Sequence, residues 1–346
     1  MRSSRRLANV RQEVLEIPAA LRETLIKGHA EYEALLRETR WGQGPLYIVG
    51  SGRSFIVGLA GARAFEAALA RPVICRPAND FRAYSTALVQ QHPVLLAISY
   101  SGGEHEILEA VRAARRRGAK VLAVTGSTTN ELATISQGVF LVRAGEEPGF
   151  GVKVSVCEQA AITYISLLSS RLSQRPDARV ASRLMEFEKL PEQAEWVLLK
   201  IQDAIRSFAA ELNTAKTLVA AGAGFYHPVA LQWARLMARL GMTPAVVADP
   251  GDFLQFFSDV REPESSLVVL SGSQCRLKRE LHEFVASSRK SISRILAITD
   301  ANDRDLIDSS SLAVLLPPLD EMIGSLLALI ALCSAACEDP PDRSAL

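Results

Sequence analysis

Short apolar runs rich in β-branched residues alternate along this chain with longer stretches in which apolar positions recur every three or four residues. The runs fall at 46–50, 72–74, 94–99, 120–125 and 138–142, and again at 217–222, 244–247, 267–271, 294–299 and 312–316. Each reads as a buried parallel strand, because a strand covered on both faces has no polar side to alternate with. The start of each run in the second set lies 171 to 174 residues after its counterpart in the first. The punctuation moves with the strands: Gly50-Ser51-Gly52 recurs as Gly222-Ala223-Gly224, and Ser99-Tyr100-Ser101 as Ser271-Gly272-Ser273, both offset by 172. The pattern predicts an α/β protein of two tandem lobes, each a five-stranded parallel sheet flanked by helices. The expected layout is a helical segment at 1–35, lobes at 36–172 and 206–337, a helical connection at 173–205 and a tail at 338–346.

The length of 346 residues fits two such lobes, since domains average roughly 150 residues. Lys and Arg number 39 and Asp and Glu 38. No excess of one sign marks a nucleic-acid footprint, and the run Arg112, Arg115, Arg116, Arg117 and Lys120 reads as a solvated helix face. Five scattered cysteines without a CxxC pair predict reduced thiols and no structural zinc. No apolar run follows the basic N-terminus, so no cleaved signal is expected. The stretch from Met322 to Cys337 is uncharged but shorter than the roughly 20 residues of a membrane span, and predicts a buried helix. No membrane partner is expected, and a cytoplasmic location follows.

Ligands of an open parallel sheet bind at the carboxyl ends of its strands, so the loops at 50–54 and 99–104 carry the candidate chemistry. Gly-Ser-Gly-Arg-Ser at 50–54 enters a helix, where backbone N–H groups can approach an anion. Alone, Gly-x-Gly after a strand is also an ordinary tight turn, and Ser99 and Ser101 alone are also helix caps. Together, on adjacent loops, they point to an anion or sugar site. A dinucleotide fold fits less well, because Phe55 stands where the third glycine of that fingerprint belongs.

The motifs GSGRS at 50–54, SYSGGEHEILEA at 99–110 and ANDFRAY at 78–84 resemble the tandem SIS (sugar isomerase) family. That family includes the isomerase half of glucosamine-6-phosphate synthase, SIS-type glucosamine-6-phosphate deaminases and fructoselysine-6-phosphate deglycases. The resemblance implies a sugar derivative held in lobe one by Gly52, Arg53, Ser54, Ser99, Tyr100, Ser101 and the residue at Glu104, with Lys153 in the segment that closes over it. It also implies a homodimer; no metal-ligand set is visible in the sequence, and no cofactor is expected. Several positions depart from the family. Glu104 replaces a hydroxyl donor to phosphate, and a carboxylate there repels a dianion by several kcal/mol at close range. Arg53 stands where relatives often have Thr and could neutralise it. The family's base Glu position is Arg239, its acid/base His position is Gln255, and no lysine follows Lys290. Arginine stays charged at any working pH and cannot serve as a base.

Asp252, His227 and Glu158 are the remaining candidates for acid/base work, with His105 beside them. Two functions stay open. One is an isomerase, deaminase or deglycase acting on a sugar phosphate or amino-sugar derivative with rearranged catalytic groups. The other is a non-catalytic sugar-binding or regulatory protein that kept the pocket and lost the chemistry.

Overall fold

The computed structural model describes residues 2–39, 45–86, 93–147, 149–173, 178–248, 265–292 and 294–338. The chain divides into two compact units, one of Glu16–Glu147 with Lys153–Pro191, the other of Met1–Leu15, Pro148–Val152 and Glu192–Leu346.

Helices α1 (Arg2–Leu21) and α2 (His29–Thr39) are joined by a π-helical turn at Arg22–Lys27. The first sheet then alternates strand and helix: β1 (Leu46–Gly50), α3 (Arg53–Leu69), β2 (Val73–Pro77), α4 (Ala78–Asp80) running into a π-helical turn at Phe81–Ser85, β3 (Val94–Ile98), α5 (His105–Arg116), β4 (Lys120–Thr125), α6 (Glu131–Ile135) and β5 (Gly138–Leu141). Its strand order is β2-β1-β3-β4-β5, parallel throughout. The order reverses between β1 and β3, which opens a crevice at their carboxyl ends. Strands β1 and β3 are buried at every position, which is why they read as continuous apolar runs. Helix α5 buries Ile107, Leu108, Ala110, Val111 and Ala114, the stripe that a 3.6-residue period lays against a sheet. Its outer face carries the basic run, where Arg112 pairs with Glu109 and Glu131, and Arg115 donates to the Ile135 carbonyl.

Helices α7 (Val152–Arg171), α8 (Val180–Glu188), α9 (Leu190–Lys200) and α10 (Gln202–Leu212) follow. The second sheet is built from β6 (Thr217–Gly222), α11 (Tyr226–Leu240), β7 (Ala245–Ala248), β8 (Ser265–Leu270), α12 (Lys278–Ser288), β9 (Arg294–Asp300), α13 (Arg304–Ser309) and β10 (Leu312–Leu316). Its order, β7-β6-β8-β9-β10, repeats that of the first sheet. Helix α14 (Glu321–Ala335) is buried along its whole length. No helix among the described residues is long and apolar enough to cross a membrane.

Strand ends differ from the sequence pattern where polar residues lie within a strand. β2 extends through Cys75 and Arg76 to Pro77, where an edge strand tolerates polar residues that an apolar run does not reveal. β8 begins two residues early because Ser265 and Ser266 are buried despite being polar.

The turns after β1 and β6 depend on their glycines. Gly52 and Gly224 have φ of 54° and 57°, the left-handed region that other residues avoid. A Cβ on Gly50 would lie 2.6 Å from the Ser54 carbonyl carbon and oxygen, backbone atoms that cannot swing aside. Gly50→Ala is therefore expected to destabilise the protein by about 2–4 kcal/mol in urea unfolding. Gly103, with open space around its Cβ position, is the control: Gly103→Ala should change stability by less than about 0.5 kcal/mol. Equal effects at the two positions would remove the steric argument.

Candidate functional site

Glycine at 50 and 52 lets the chain leave β1 and enter α3 with Arg53 as its first residue, and Ser54 N–H closes the turn on the Ser51 carbonyl at 3.0 Å. Ser54 is buried at the foot of the crevice, while Arg53 is partly exposed.

The loop after β3 is stapled from several sides. Ser99, wholly buried, accepts from Gly102 N–H at 2.8 Å and gives its own hydroxyl hydrogen to the Glu104 carboxylate. Asn130 Nδ2 donates to the Ser101 carbonyl at 3.1 Å and to Thr125 Oγ1 at 2.7 Å, while its Oδ1 caps α6 through Ala133 N–H. The Tyr100 hydroxyl donates to the Gly145 carbonyl at 2.6 Å, and burial pushes its pKa up to about 12. Ser101 faces solvent. Glu104 is the residue at which α5 begins; its backbone carbonyl accepts the first helical bonds, from Ile107 and Leu108.

Arg53 forms a two-pronged ion pair with Glu147, Nη1 to Oε1 at 3.0 Å and Nη2 to Oε2 at 3.1 Å. This geometry is the strong form of an arginine–carboxylate contact. The expected neutraliser of Glu104 thus has a carboxylate partner that the sequence did not single out. Glu158, on α7, is wholly buried and neither carboxylate oxygen has a hydrogen-bond partner. Burial pushes its pKa up to about 8; Arg53 opposes the shift, and Glu104 and Glu147 add to it. The structure therefore brings Arg53, Ser99, Tyr100, Glu104 and Glu158 of the sequence-derived set into one electrostatic neighbourhood, with Glu147 added. A carboxylic acid that stays protonated at neutral pH can donate a hydrogen bond or a proton, and as its conjugate base can take one back. Lys153, also in this unit, is buried and pairs with Glu16 at 2.5 Å.

The second sheet's rim is filled from within. Tyr226 occupies the position that repeats Ser54, and a Cβ at Gly272 would stand 2.5 Å from its hydroxyl oxygen and 3.1 Å from Asp300 Oδ2. Asp300 also accepts from Ser273 N–H at 2.6 Å, the residue that repeats Ser101. The tyrosine is buried and its pKa is raised well above the usual value by that burial. His227 lies in the first turn of α11 in the same unit. Arg239, at the family's base position, donates to the carbonyls of Phe150 and Gly149 at 2.7 Å each and lies over the Phe150 ring, 5.2 Å from its centroid. Within that unit Glu13 gathers the N–H groups of Phe150, Gly151 and Val152 on its carboxylate. Asp252 and Gln255 lie outside the described residues.

Sequence reasoning missed Glu147, Asn130 and Glu13. Glu147 had a signal, an acidic pair ahead of Pro-Gly-Phe-Gly. Asn130 had another, three residues before the N–H it caps. Glu13 is one acid among several on an amphipathic helix, and nothing local distinguishes it. Among the described residues no group of His, Cys, Asp and Glu is placed to hold a metal ion.

The fold is α/β, two five-stranded parallel sheets flanked by helices, and it matches two SIS-type lobes. Residues 41–169 match the SIS domain family model. The chain is 29% identical over 238 residues to the isomerizing glutamine–fructose-6-phosphate aminotransferase of Mycolicibacterium smegmatis, covering 66% of this chain and 37% of that protein. It is 26% identical over 341 residues to the enzyme of the same description from Leifsonia xyli, covering 94% and 55%. The chain thus spans about half the length, or less, of these curated relatives. Among solved structures, the C-terminal domain of the Francisella tularensis glucosamine-fructose-6-phosphate aminotransferase superposes with a TM-score of 0.81 at 17% identity, over 95% of this chain and 94% of that one. Tagatose-6-phosphate ketose/aldose isomerase from Escherichia coli superposes with 0.79 at 18%, over 95% and 91%. At these identities the superpositions establish the fold.

The raised pKa of Glu158 makes a stability prediction. The unfolded chain loses this proton near the ordinary value of 4.5, the folded chain near 8. Between those values the folded state binds more protons than the unfolded one, so the contribution is complete below the lower value and is lost as pH rises through the upper. Wild type should lose several kcal/mol more than Glu158→Gln between about pH 5 and about pH 9 in denaturant titrations. Parallel profiles would mean that Glu158 is already ionised in the folded protein at neutral pH.

Proposed function

We propose that this chain binds a sugar derivative at the strand ends of lobe one and moves protons on it, as an isomerase, deaminase or deglycase. The observation that carries the reading is Glu158, a buried carboxyl with neither oxygen hydrogen-bonded and a pKa near 8, beside Arg53, Glu104 and Glu147. Proton transfer is most efficient from a group whose pKa lies near the working pH, and perturbed carboxyls gather where such chemistry is done. Aldose–ketose interconversion requires a proton to pass between two adjacent carbons, and one carboxyl alternating between acid and base suffices for that shuttle. The relatives support the substrate class: their names specify fructose 6-phosphate and tagatose 6-phosphate, and a glucosamine-6-phosphate deaminase from Thermotoga maritima shares the fold at a TM-score of 0.68.

In this reading Gly52, Ser54, Ser99, Tyr100 and Ser101 shape the floor and hold sugar hydroxyls, while Glu158 is the acid/base group. Lys153 belongs to the segment beside the sugar. Asp252 and His227 are second candidates for proton transfer, and Gln255 is a contact to ligand. The protein works as a cytoplasmic homodimer without cofactor, metal, nucleic acid or membrane.

A second reading, a sugar-binding protein without turnover, is favoured by Arg239. Its guanidinium is committed to two backbone carbonyls and an aromatic ring, a structural post where the resemblance expects a base.

Turnover separates the two. Fructose 6-phosphate, glucosamine 6-phosphate, an Amadori phosphate and the unphosphorylated form of each are incubated with the protein in deuterium oxide and followed by NMR. Deuterium uptake beside the carbonyl, or release of the amine, should appear for one of them and fall about 10²–10⁴-fold in Glu158→Gln. Binding without exchange in any of the six would establish the non-catalytic reading for these sugars.

A further inference from the structure

The donors on the lobe-one rim already have acceptors within the protein. Ser99 has one hydroxyl hydrogen, and it goes to Glu104; the Gly102 N–H goes to Ser99, and the Gly103 N–H to Ser101 Oγ at 3.4 Å. The Arg53 guanidinium spends two N–H groups on Glu147. The Ser99 hydroxyl is thus taken by a carboxylate of the chain itself, and the loop N–H groups by serine hydroxyls. Charge points the same way. Arg53 balances Glu147 and Lys153 balances Glu16, while Glu104 is held by the neutral Ser99 hydroxyl. Glu158 is the independent observation: it is wholly buried, and both of its oxygens lack a hydrogen-bond partner. A buried acceptor without a donor is costly, and a ligand that brings donors relieves the cost.

We propose that the lobe-one rim is a cation subsite which takes the ammonium group of an unphosphorylated amino sugar, with Glu104 and Glu158 as its acceptors. This rests on the sugar-binding reading above and narrows its substrate class. An ammonium carries three donors and no acceptor; Glu158 has neither oxygen hydrogen-bonded, and Glu104 keeps acceptor capacity beyond the one bond from Ser99. A phosphate dianion offers only acceptors and has to displace Glu104 from Ser99 while facing its charge. The ring hydroxyls meet Ser101, whose side chain is exposed at the mouth.

The test is isothermal titration of the full chain with glucose, glucosamine, glucose 6-phosphate and glucosamine 6-phosphate at about pH 6.5, where an amine with a pKa near that of an α-amino group is protonated. Wild type should bind glucosamine at least about tenfold more tightly than glucose, and each phosphate more weakly than its parent sugar. In Glu104→Gln the amine preference should fall to about threefold or less, and phosphate binding should strengthen, because Ser99 and the loop are released from a charged acceptor. Unchanged far-UV dichroism in the variant checks the fold. Tighter binding of the phosphates by wild type, or an amine preference that survives in Glu104→Gln, overturns the cation subsite while leaving the sugar-binding reading in place. If none of the four sugars binds wild type, the cation subsite is overturned, and the sugar-binding reading stands or falls on the six-sugar exchange experiment above.

Discussion

Glu158 is held out of water with neither oxygen hydrogen-bonded, and the lobe-one rim is arranged around that fact. A carboxyl in such a place either stays protonated or needs a cation close by. The nearby cation is Arg53, and Arg53 is engaged by Glu147. Glu104, which adds to the upward shift of Glu158, is itself quieted by the Ser99 hydroxyl. Four charged or chargeable groups and one serine therefore form a coupled set in which the state of each depends on the others. A change of ligand charge at any one of them is felt at Glu158 as a change in proton affinity.

The same duplication produced two rims with opposite fates. Lobe one keeps the small Ser54 on the floor of its crevice, whereas the equivalent Tyr226 in lobe two reaches over Gly272 and Gly324. Gly126 of lobe one corresponds to Asp300 of lobe two, whose carboxylate takes the Ser273 N–H. The staple below the loop survived in altered form: Thr125 with Asn130 in one lobe, Thr299 with Asp303 in the other. Divergence thus fell on the residues that line the crevice and spared those that hold its loops.

This pattern explains what could be read from the chain beforehand. Strand order and duplication were legible because buried parallel strands and glycine turns are local signals, repeated at a constant offset. The edges of β2 and β8 were not, since Arg76 on an edge strand and Ser265 in a buried one break the apolar rule that marks a strand. In the site, Glu104 stood out as a carboxyl where the resemblance expects a hydroxyl, and Glu158 as a carboxyl near the segment that the resemblance closes over the sugar. Their coupling through Arg53 was hidden, because it depends on Glu147, which lies 94 residues from Arg53 in sequence. Ion pairs across such separations are decided by the packed fold, and no periodicity encodes them.

The unit that contains the second sheet is discontinuous, taking its first part from Met1–Leu15 and its last from the chain beyond Glu192. Arg11 donates to the carbonyl of Cys337, a bond that spans 326 residues. Val10 and Val14 are buried in the same unit, and Glu13 between them accepts from Phe150, Gly151 and Val152. The unit of the first sheet is complete once Pro191 has been made. The unit of the second sheet therefore closes through contacts of far greater sequence separation than the unit of the first, and such contacts form slowly. Loop closure over about three hundred residues is thus a cost that one half of this molecule bears and the other does not.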